Sequence, residues 1–402
     1  MILPIRIIPE SESEQILYNE DDSEDWSSFF SGWIMELLSD KNSAEQMLMN
    51  KAAGTHTPVN GSIELLPLCN MNCDFCYVRL ARDEMERVGR MYTADEWLSI
   101  GQQMKDAGTL FLLLTGGEPL LYPDFKKLYL GLRQMGMIIT LNTNGTLMDE
   151  AWVSFFSEYK PRRINITLYG SDDGAYENLC HYRGGFDKVI RGIRLLRQAD
   201  IDVRIGASVG RKNVKDVRRI IEIAKELDCA YNVDTYMMPA SRERCKAFDE
   251  NSRLDPEDAA RVSFEIIQSQ NDPAVFQSYA RSIVHAIDSF DAGKPYSRHM
   301  SCLAGSCSFA LNWLGYMRPC VVLNQPQYNV FEEGFLNSWQ KMSQETGKLL
   351  VSKKCSLCPR RILCKTCVAA GLYEEGAFDK APSYLCRYSE EMERLYRKEA
   401  DQ

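Results

Sequence analysis

Cysteine placement constrains this chain more than any other feature. Fourteen cysteines occur in 402 residues, and eleven of them fall in two groups: three between positions 69 and 76, and eight between 302 and 386. Cys180, Cys229 and Cys245 stand alone. The N-terminal Met1–Ile8 is apolar but short, lacks a basic start, and runs into Pro9 and acidic residues, so it reads as a strand rather than a signal peptide. No apolar run approaches the length needed to cross a bilayer. The expected setting is therefore cytosolic, where disulfides are rare and clustered cysteines favour metal.

The length favours two domains plus an extension. Residues 1–60 form the extension, with an acidic stretch from Glu10 to Asp25 and an apolar helical segment from Trp26 to Leu48. Between 61 and 250, strand and helix patterns alternate. Thr109–Thr115 (TLFLLLT) reads as a buried strand, and Thr93 is placed to cap a helix running to Ala107. Six such repeats imply an α/β fold with a parallel sheet and right-handed crossovers, and six suit an open, partial (β/α)6 barrel better than an eight-fold one. Residues 251–300 read as a helical connector. Residues 301–402 are Cys-rich and punctuated by glycine, a composition that needs metal to hold it together. The formal net charge of −9 repels phosphate backbones, so nucleic acid is excluded as an expected partner, as is a membrane.

The first cysteine group reads Leu68-Cys69-Asn-Met-Asn-Cys73-Asp-Phe-Cys76, directly after the first strand. Three thiolates so spaced can wrap one loop around one metal cluster. A cubane has four irons, so three ligands leave one open to a substrate. The loop lies at the C-terminal end of a strand, where βα folds place their active sites. A zinc ion with a fourth ligand elsewhere is the alternative. The second strand ends in Gly116-Gly117-Glu118-Pro119, where glycines let backbone approach a ligand and Glu118 offers an acceptor for an ammonium group.

The Cys-x3-Cys-x-aromatic-Cys pattern, with Phe75 as the aromatic, resembles the signature of the radical S-adenosylmethionine (SAM) superfamily. That resemblance implies a 4Fe–4S cluster on Cys69, Cys73 and Cys76. SAM chelates its open iron and is cleaved reductively to a 5′-deoxyadenosyl radical that removes a hydrogen from the substrate. It also implies that Gly116, Gly117 and Glu118 hold the SAM amino group. Further matches follow in order, from Asn144 in Asn142-Thr-Asn-Gly145 to Thr167 in Thr167-Leu-Tyr-Gly170, aimed at the SAM ribose. Tyr169 replaces an Asp common among relatives. Arg183 matches a residue that pairs with the SAM carboxylate, and Ser208 is a weaker candidate for SAM contact. The resemblance spans about residues 61–240.

The C-terminal group reads Cys302-x4-Cys307, Gly315-x4-Cys320, Cys355-x2-Cys358-x5-Cys364-x2-Cys367 and Cys386. By number alone, eight thiols suit two cubanes or two zinc ions equally. The spacing resembles the SPASM domain of radical SAM maturases, which implies two auxiliary 4Fe–4S clusters. Cys302, Cys307, Cys320 and Cys367 would hold one, and Cys355, Cys358, Cys364 and Cys386 the other. This chain departs from the pattern between Cys364 and Cys367, which are two residues apart rather than three. Four-thiolate ligation suits electron transfer; direct substrate ligation requires one thiolate to leave. The lone cysteines read as plain thiols, with a redox or substrate role left open for Cys180 because it lies near Arg183. His56, His181, His285 and His299 have no paired ligand spacing and read as structural.

The SPASM resemblance implies a maturase that forms a thioether or carbon–carbon crosslink in a ribosomally made precursor peptide, with a reductant such as flavodoxin or ferredoxin. About 60 residues precede the barrel, too few for a complete winged-helix module that grips a leader peptide. Recognition then falls to the extension, to a separate leader-binding protein or to the barrel rim. Two alternatives stand: oxidation of a protein in the manner of anaerobic sulfatase maturases, and radical modification of a small molecule. The first is weakened because those maturases carry a basic Asp after the Gly-x4-Cys cysteine, where this chain has Val321. Asp234 and Tyr236 are candidate polar groups at the pocket, with Asp234 read rather as a strand-edge charge.

Overall fold

A computed structural model describes residues 44–238 and 252–402. The expected N-terminal strand, the acidic stretch, most of the Trp26–Leu48 helix and Cys245 lie outside the described residues. Six strands carry the alternating half of the chain: β1 (Asn60–Glu64), β2 (Phe111–Thr115), β3 (Ile138–Thr143), β4 (Arg163–Thr167), β5 (Val203–Ser208) and β6 (Ala230–Asp234). They pair in parallel and in sequence order, β6-β5-β4-β3-β2-β1. A sheet that never reverses its order is the topology of a barrel rather than of a doubly wound sheet.

Local chemistry sets the elements. Thr93 caps the helix Ala94–Asp106: its hydroxyl accepts from the Glu96 N–H at 3.3 Å, and the Glu96 carboxylate accepts from the Thr93 N–H at 2.8 Å. Asp172 caps a second helix, Asp173–Cys180, by accepting from the Ala175 N–H at 2.8 Å. That helix and Arg82–Val88 were not expected from the sequence. Apart from Ile138 at the exposed start of β3, the large aliphatic members of β3 to β6 are buried, Ile139, Leu141, Ile164, Ile166, Val203, Ile205 and Val233. The alternate positions are polar and share registered rows: Asn142 lies opposite Asn165, Asn165 opposite Arg204, and Ser208 opposite Asp234. Period-two alternation thus gives this part of the sheet one apolar face and one polar face.

The Cys-rich segment does not build a separate sheet. Strand β7 (Ser308–Leu311) adds in parallel to β1, and β8 (Tyr316–Arg318) and β9 (Tyr328–Asn329) follow antiparallel, making nine strands among the described residues. The connector forms helices Pro256–Ser269 and Pro273–Asp288. Both pack on the C-terminal helix Ser383–Ala400, with the Phe264 ring 5.1 Å from Tyr396 and 5.3 Å from Phe276. An inward ion pair ties the connector to the Cys-rich half: Arg253 donates to Glu374 at 2.8 Å, and Glu374 is 8% exposed. The Arg253 guanidinium lies 3.4 Å above the Tyr384 ring. Among the described residues, no helix is long and apolar enough to cross a membrane.

Candidate cofactor site

Strand β1 ends at Glu64, but its chain stays hydrogen-bonded to the end of β2. The Leu65 N–H donates to Thr115 O at 2.9 Å, Gly117 N–H to Leu66 O at 2.7 Å and Glu118 N–H to Leu68 O at 2.9 Å. This seam delivers Cys69 beside the Gly-Gly-Glu turn. The cysteine loop then folds back, with the Leu80 N–H donating to Pro67 O at 3.0 Å. Its amides turn toward sulfur: Met71 N–H donates to Cys69 Sγ at 3.4 Å and Arg79 N–H to Cys76 Sγ at 3.2 Å. Burial pushes the Cys69 thiol up to about 12, against the Met71 N–H. An anionic thiolate here needs a cation or a metal beside it, which is the chemistry of a ligand loop.

Cys73 is the most buried thiol of the three. The residues on either side of it dock onto the end of the Asp173–Cys180 helix, with Asn72 N–H donating to Cys180 O and Asp74 N–H to Leu179 O, each at 3.0 Å. That places Cys180, fully buried, against Cys73. Cys180 and Tyr169 both hydrogen-bond the Cys73 sulfur; Cys180 holds that thiol below its usual range, and the shared proton pushes Cys180 well above. Cys180 is therefore no isolated thiol, and Tyr169 faces the ligand loop. Phe75 packs beneath, its ring 6.3 Å from Tyr169. On the outside Asp74 is paired with His181 at 2.8 Å and Lys212 at 2.6 Å.

The glycines of the second motif allow an approach to protein backbone. A Cβ at Gly117 would lie 2.3 Å from Leu68 O, and one at Gly116 2.7 Å from Leu66 O. Glu118 is fully buried, and burial pushes its carboxyl up to about 7. It accepts from Asn144 N–H at 2.8 Å, Thr143 Oγ1 at 2.8 Å and Leu120 N–H at 3.0 Å. The carboxylate thus braces the turn against the end of β3. Asn144, held by that brace, donates to Asn70 Oδ1 at 2.8 Å and approaches Cys69 Sγ at 3.6 Å. Glu118, Asn144 and Cys69 are one connected unit.

Thr167 and Ser208 end β4 and β5 on the polar face. Asn213, fully buried, spans the two strand ends by donating to Tyr169 O at 2.9 Å and Ser208 O at 3.0 Å. Arg183 is exposed on the turn after the Asp173–Cys180 helix. Sequence reasoning missed Asn165 and Asn232, whose buried Oδ1 atoms have no protein partner. Both stand on the polar face, and the alternation in Arg163-Ile-Asn-Ile-Thr167 is the signal that marks the first. Such orphaned acceptors suit the donors of a polar ligand. Asp234 is more than a strand-edge charge, since Lys365 reaches it at 3.6 Å from the Cys-rich half. Tyr236 is buried and donates to Glu374 at 3.2 Å, away from any free polar role.

The C-terminal thiols divide into two sets. Burial and then the charges of Cys320 and Cys302 push Cys367 up to about 12. The amides of Ala369 and Ala370, in the first turn of the helix Val368–Glu375, act the other way. In the second set, burial and then Cys364 and Cys386 push Cys355 up to about 11, while Cys358 and Cys386 act likewise on Cys364. Cys307 joins neither set. It is fully buried in an apolar cluster with Met49, Ala52 and Val59, and only burial raises its thiol, to about 11. The remaining seven thiols are near enough to influence one another's charge within each set, although among the described residues no three of them converge on one metal position.

Residues 63–226 match the sequence family described as the Radical SAM superfamily. The AdoMet-dependent heme synthase of Methanosarcina barkeri is 25% identical over 361 residues, which span 84% of this chain and 98% of that protein. The antilisterial bacteriocin subtilosin biosynthesis protein AlbA of Bacillus subtilis is 22% identical over 368 residues, 85% of this chain and 76% of that one. Among solved structures, Streptococcus suis SuiB bound to the precursor peptide SuiA superposes with a TM-score of 0.64 at 18% identity, over 85% of this chain and 80% of SuiB.

Proposed function

The chain carries a radical SAM domain over residues 63–226, and from that premise we propose that it is a peptide maturase, forming a thioether or carbon–carbon crosslink in a ribosomally made precursor peptide. The observation that carries this reading is the pair of C-terminal thiol sets, built onto the barrel sheet through β7. AlbA is a bacteriocin biosynthesis protein, and SuiB was crystallised with a precursor peptide; each aligns with 85% of this chain, more than the barrel alone.

Cys69, Cys73 and Cys76 hold a 4Fe–4S cluster, which with SAM supplies hydrogen-atom abstraction. Gly116 and Gly117 bring the backbone of the second motif against the ligand loop, and Glu118 orients Asn144 toward it. Phe75 supports the loop from below. Thr167, Ser208, Asn165 and Asn232 offer polar contacts to SAM from the strand face, and Arg183 offers a cation to its carboxylate. The C-terminal sets hold two auxiliary clusters. A flavodoxin or ferredoxin supplies electrons, and a separate protein or the barrel rim recognises the leader.

Cys180 positions and tunes the first cluster through Cys73. Cys180→Ala is expected to lower the midpoint potential of that cluster by tens of millivolts, the one-electron equivalent of about 1 kcal/mol of hydrogen bonding. An EPR-monitored redox titration reads it, and an unchanged potential removes the role.

A second reading, radical modification of a tetrapyrrole or other small molecule, is favoured by the heme synthase alignment, which spans nearly all of that protein. Anaerobic co-expression with short Cys-bearing peptides encoded beside the gene separates the two. A peptide lighter by two hydrogens supports maturation, and loss of an alkylatable thiol then marks a thioether. Unmodified peptides, with SAM turnover driven instead by a porphyrin, would overturn it.

A further inference from the structure

Cys73 sits where two segments remote in sequence are pinned together. The Asn72 N–H donates to Cys180 O and the Asp74 N–H to Leu179 O, each at 3.0 Å, so hydrogen bonds flank Cys73 on both sides. Asp74 also binds the ring of His181, the residue after Cys180, at 2.8 Å, and Lys212 holds the same carboxylate at 2.6 Å. Backbones joined by hydrogen bonds in this way bring Cα atoms to about 5 Å, inside the span of roughly 4.4–6.8 Å that a disulfide bridges. The two sulfurs are themselves hydrogen-bonded to each other. Cys180 is fully buried at the last position of its helix, and Cys73 is buried beside it. Cys229, by contrast, is buried with its thiol on the Leu227 carbonyl at 3.4 Å, two residues away.

We propose that Cys73 and Cys180 form a reversible disulfide when the chain carries no cluster, with hydrogen peroxide as the oxidant, and that this bond keeps the ligand Cys73 recoverable. Peroxide gives one oxygen to a sulfur, making a sulfenic acid, and leaves as water. The other thiol attacks that sulfur, the S–S bond forms, and a second water departs. Two thiols thus lose two hydrogens, and the peroxide is reduced to two waters. A sulfenic acid with no thiol in contact goes on to sulfinic acid, which a dithiol does not reverse. A disulfide is reopened by a dithiol through exchange. Cys180 lies outside the Cys69, Cys73 and Cys76 motif, so the bond takes one thiol from that set and leaves two, too few to hold the cluster. The inference rests on the reading of those three thiols as the cluster ligands.

The test uses the full chain, freed of metal under reducing conditions, treated with a small excess of hydrogen peroxide and then with iodoacetamide. Trypsin leaves Cys73 in the peptide 52–79 and Cys180 in the peptide 164–183. The expected product is these two peptides joined, lighter by two hydrogens than their sum, with fragmentation placing the link at Cys73 and with Cys229 alkylated. The rival partner is Cys76, whose N–H donates to Cys73 O at 3.1 Å in a tight turn. A link within the peptide 52–79, a Cys73 found as sulfinic acid, or Cys73 and Cys180 both alkylated would overturn the proposal. A second measurement follows recovery. After peroxide and then dithiothreitol, the parental chain is expected to take up as much iron as its untreated sample, and Cys180→Ala about four irons fewer than its own. Equal recovery by the two chains overturns the protective role. The link is read without metal, so its absence is distinguishable from failure of the cluster reading, which shows as no iron uptake by the first motif in untreated protein.

Discussion

Cys73→Ala is expected to abolish 5′-deoxyadenosine release from SAM and dithionite, a fall of at least about 1,000-fold, or some 4 kcal/mol of lost barrier reduction. About four irons of roughly twelve should go with it, and the C-terminal clusters should stay. Of the three proposed ligands Cys73 is expected to be the most sensitive, because its surroundings are built around it. It is 6% exposed, it takes hydrogen bonds from Cys180 and Tyr169, and its neighbours Asn72 and Asp74 are pinned to the helix Asp173–Cys180. An alanine leaves two donors aimed at nothing and two thiols on a loop shaped for three. Cys229→Ala is the control. That thiol is buried, bonds the Leu227 carbonyl at 3.4 Å and no other partner among the described residues, and its loss should leave both iron and rate unchanged. Product release at the parental rate from Cys73→Ala would show that the loop is not the site of SAM cleavage.

The parts of this arrangement that a reader of the sequence can find are those written locally. Strands β2 to β6 follow from apolar runs and period-two alternation, and the Thr93 capping box from its spacing. Cys69, Cys73, Cys76 and the Gly-Gly-Glu turn follow from motif order. What escapes is non-local. The helix Asp173–Cys180 is eight residues long with a glycine in its first turn, and only Asp172 announces it. Strands β7, β8 and β9 have four, three and two residues, too short for any period; they exist because β1 offers an edge. Cys180 meets Cys73 because helix Asp173–Cys180 ends under the loop, and Cys307 packs with Met49 and Ala52 from a helix remote in sequence. Glu118 likewise reads as a ligand contact in the motif, yet the fold gives both its oxygens to Leu120, Thr143 and Asn144.

Gly117→Ala should be nearly as damaging as loss of a ligand, without touching sulfur. The added Cβ would stand 2.3 Å from Leu68 O, 2.6 Å from Leu68 C and 2.8 Å from Pro67 O. All three are backbone atoms, so no rotamer change relieves the contact. Leu68 O also accepts the Glu118 N–H at 2.9 Å, so moving it breaks the seam that positions Cys69, and Asn144 loses its brace with it. Overpacking of this kind costs about 1–3 kcal/mol in stability. The functional loss should be larger, about 100-fold in SAM cleavage, because a ligand loop displaced by an ångström no longer holds its metal in place. Gly54→Ala is the matched control: a Cβ there meets nothing within 4 Å. Iron content and 5′-deoxyadenosine release measured side by side decide the matter. If Gly117→Ala retained full iron and full rate, the ligand loop would not depend on its contact with the Gly-Gly-Glu turn, and the seam from Leu65 to Glu118 would be a packing feature rather than the device that sets the cluster in the mouth of the barrel.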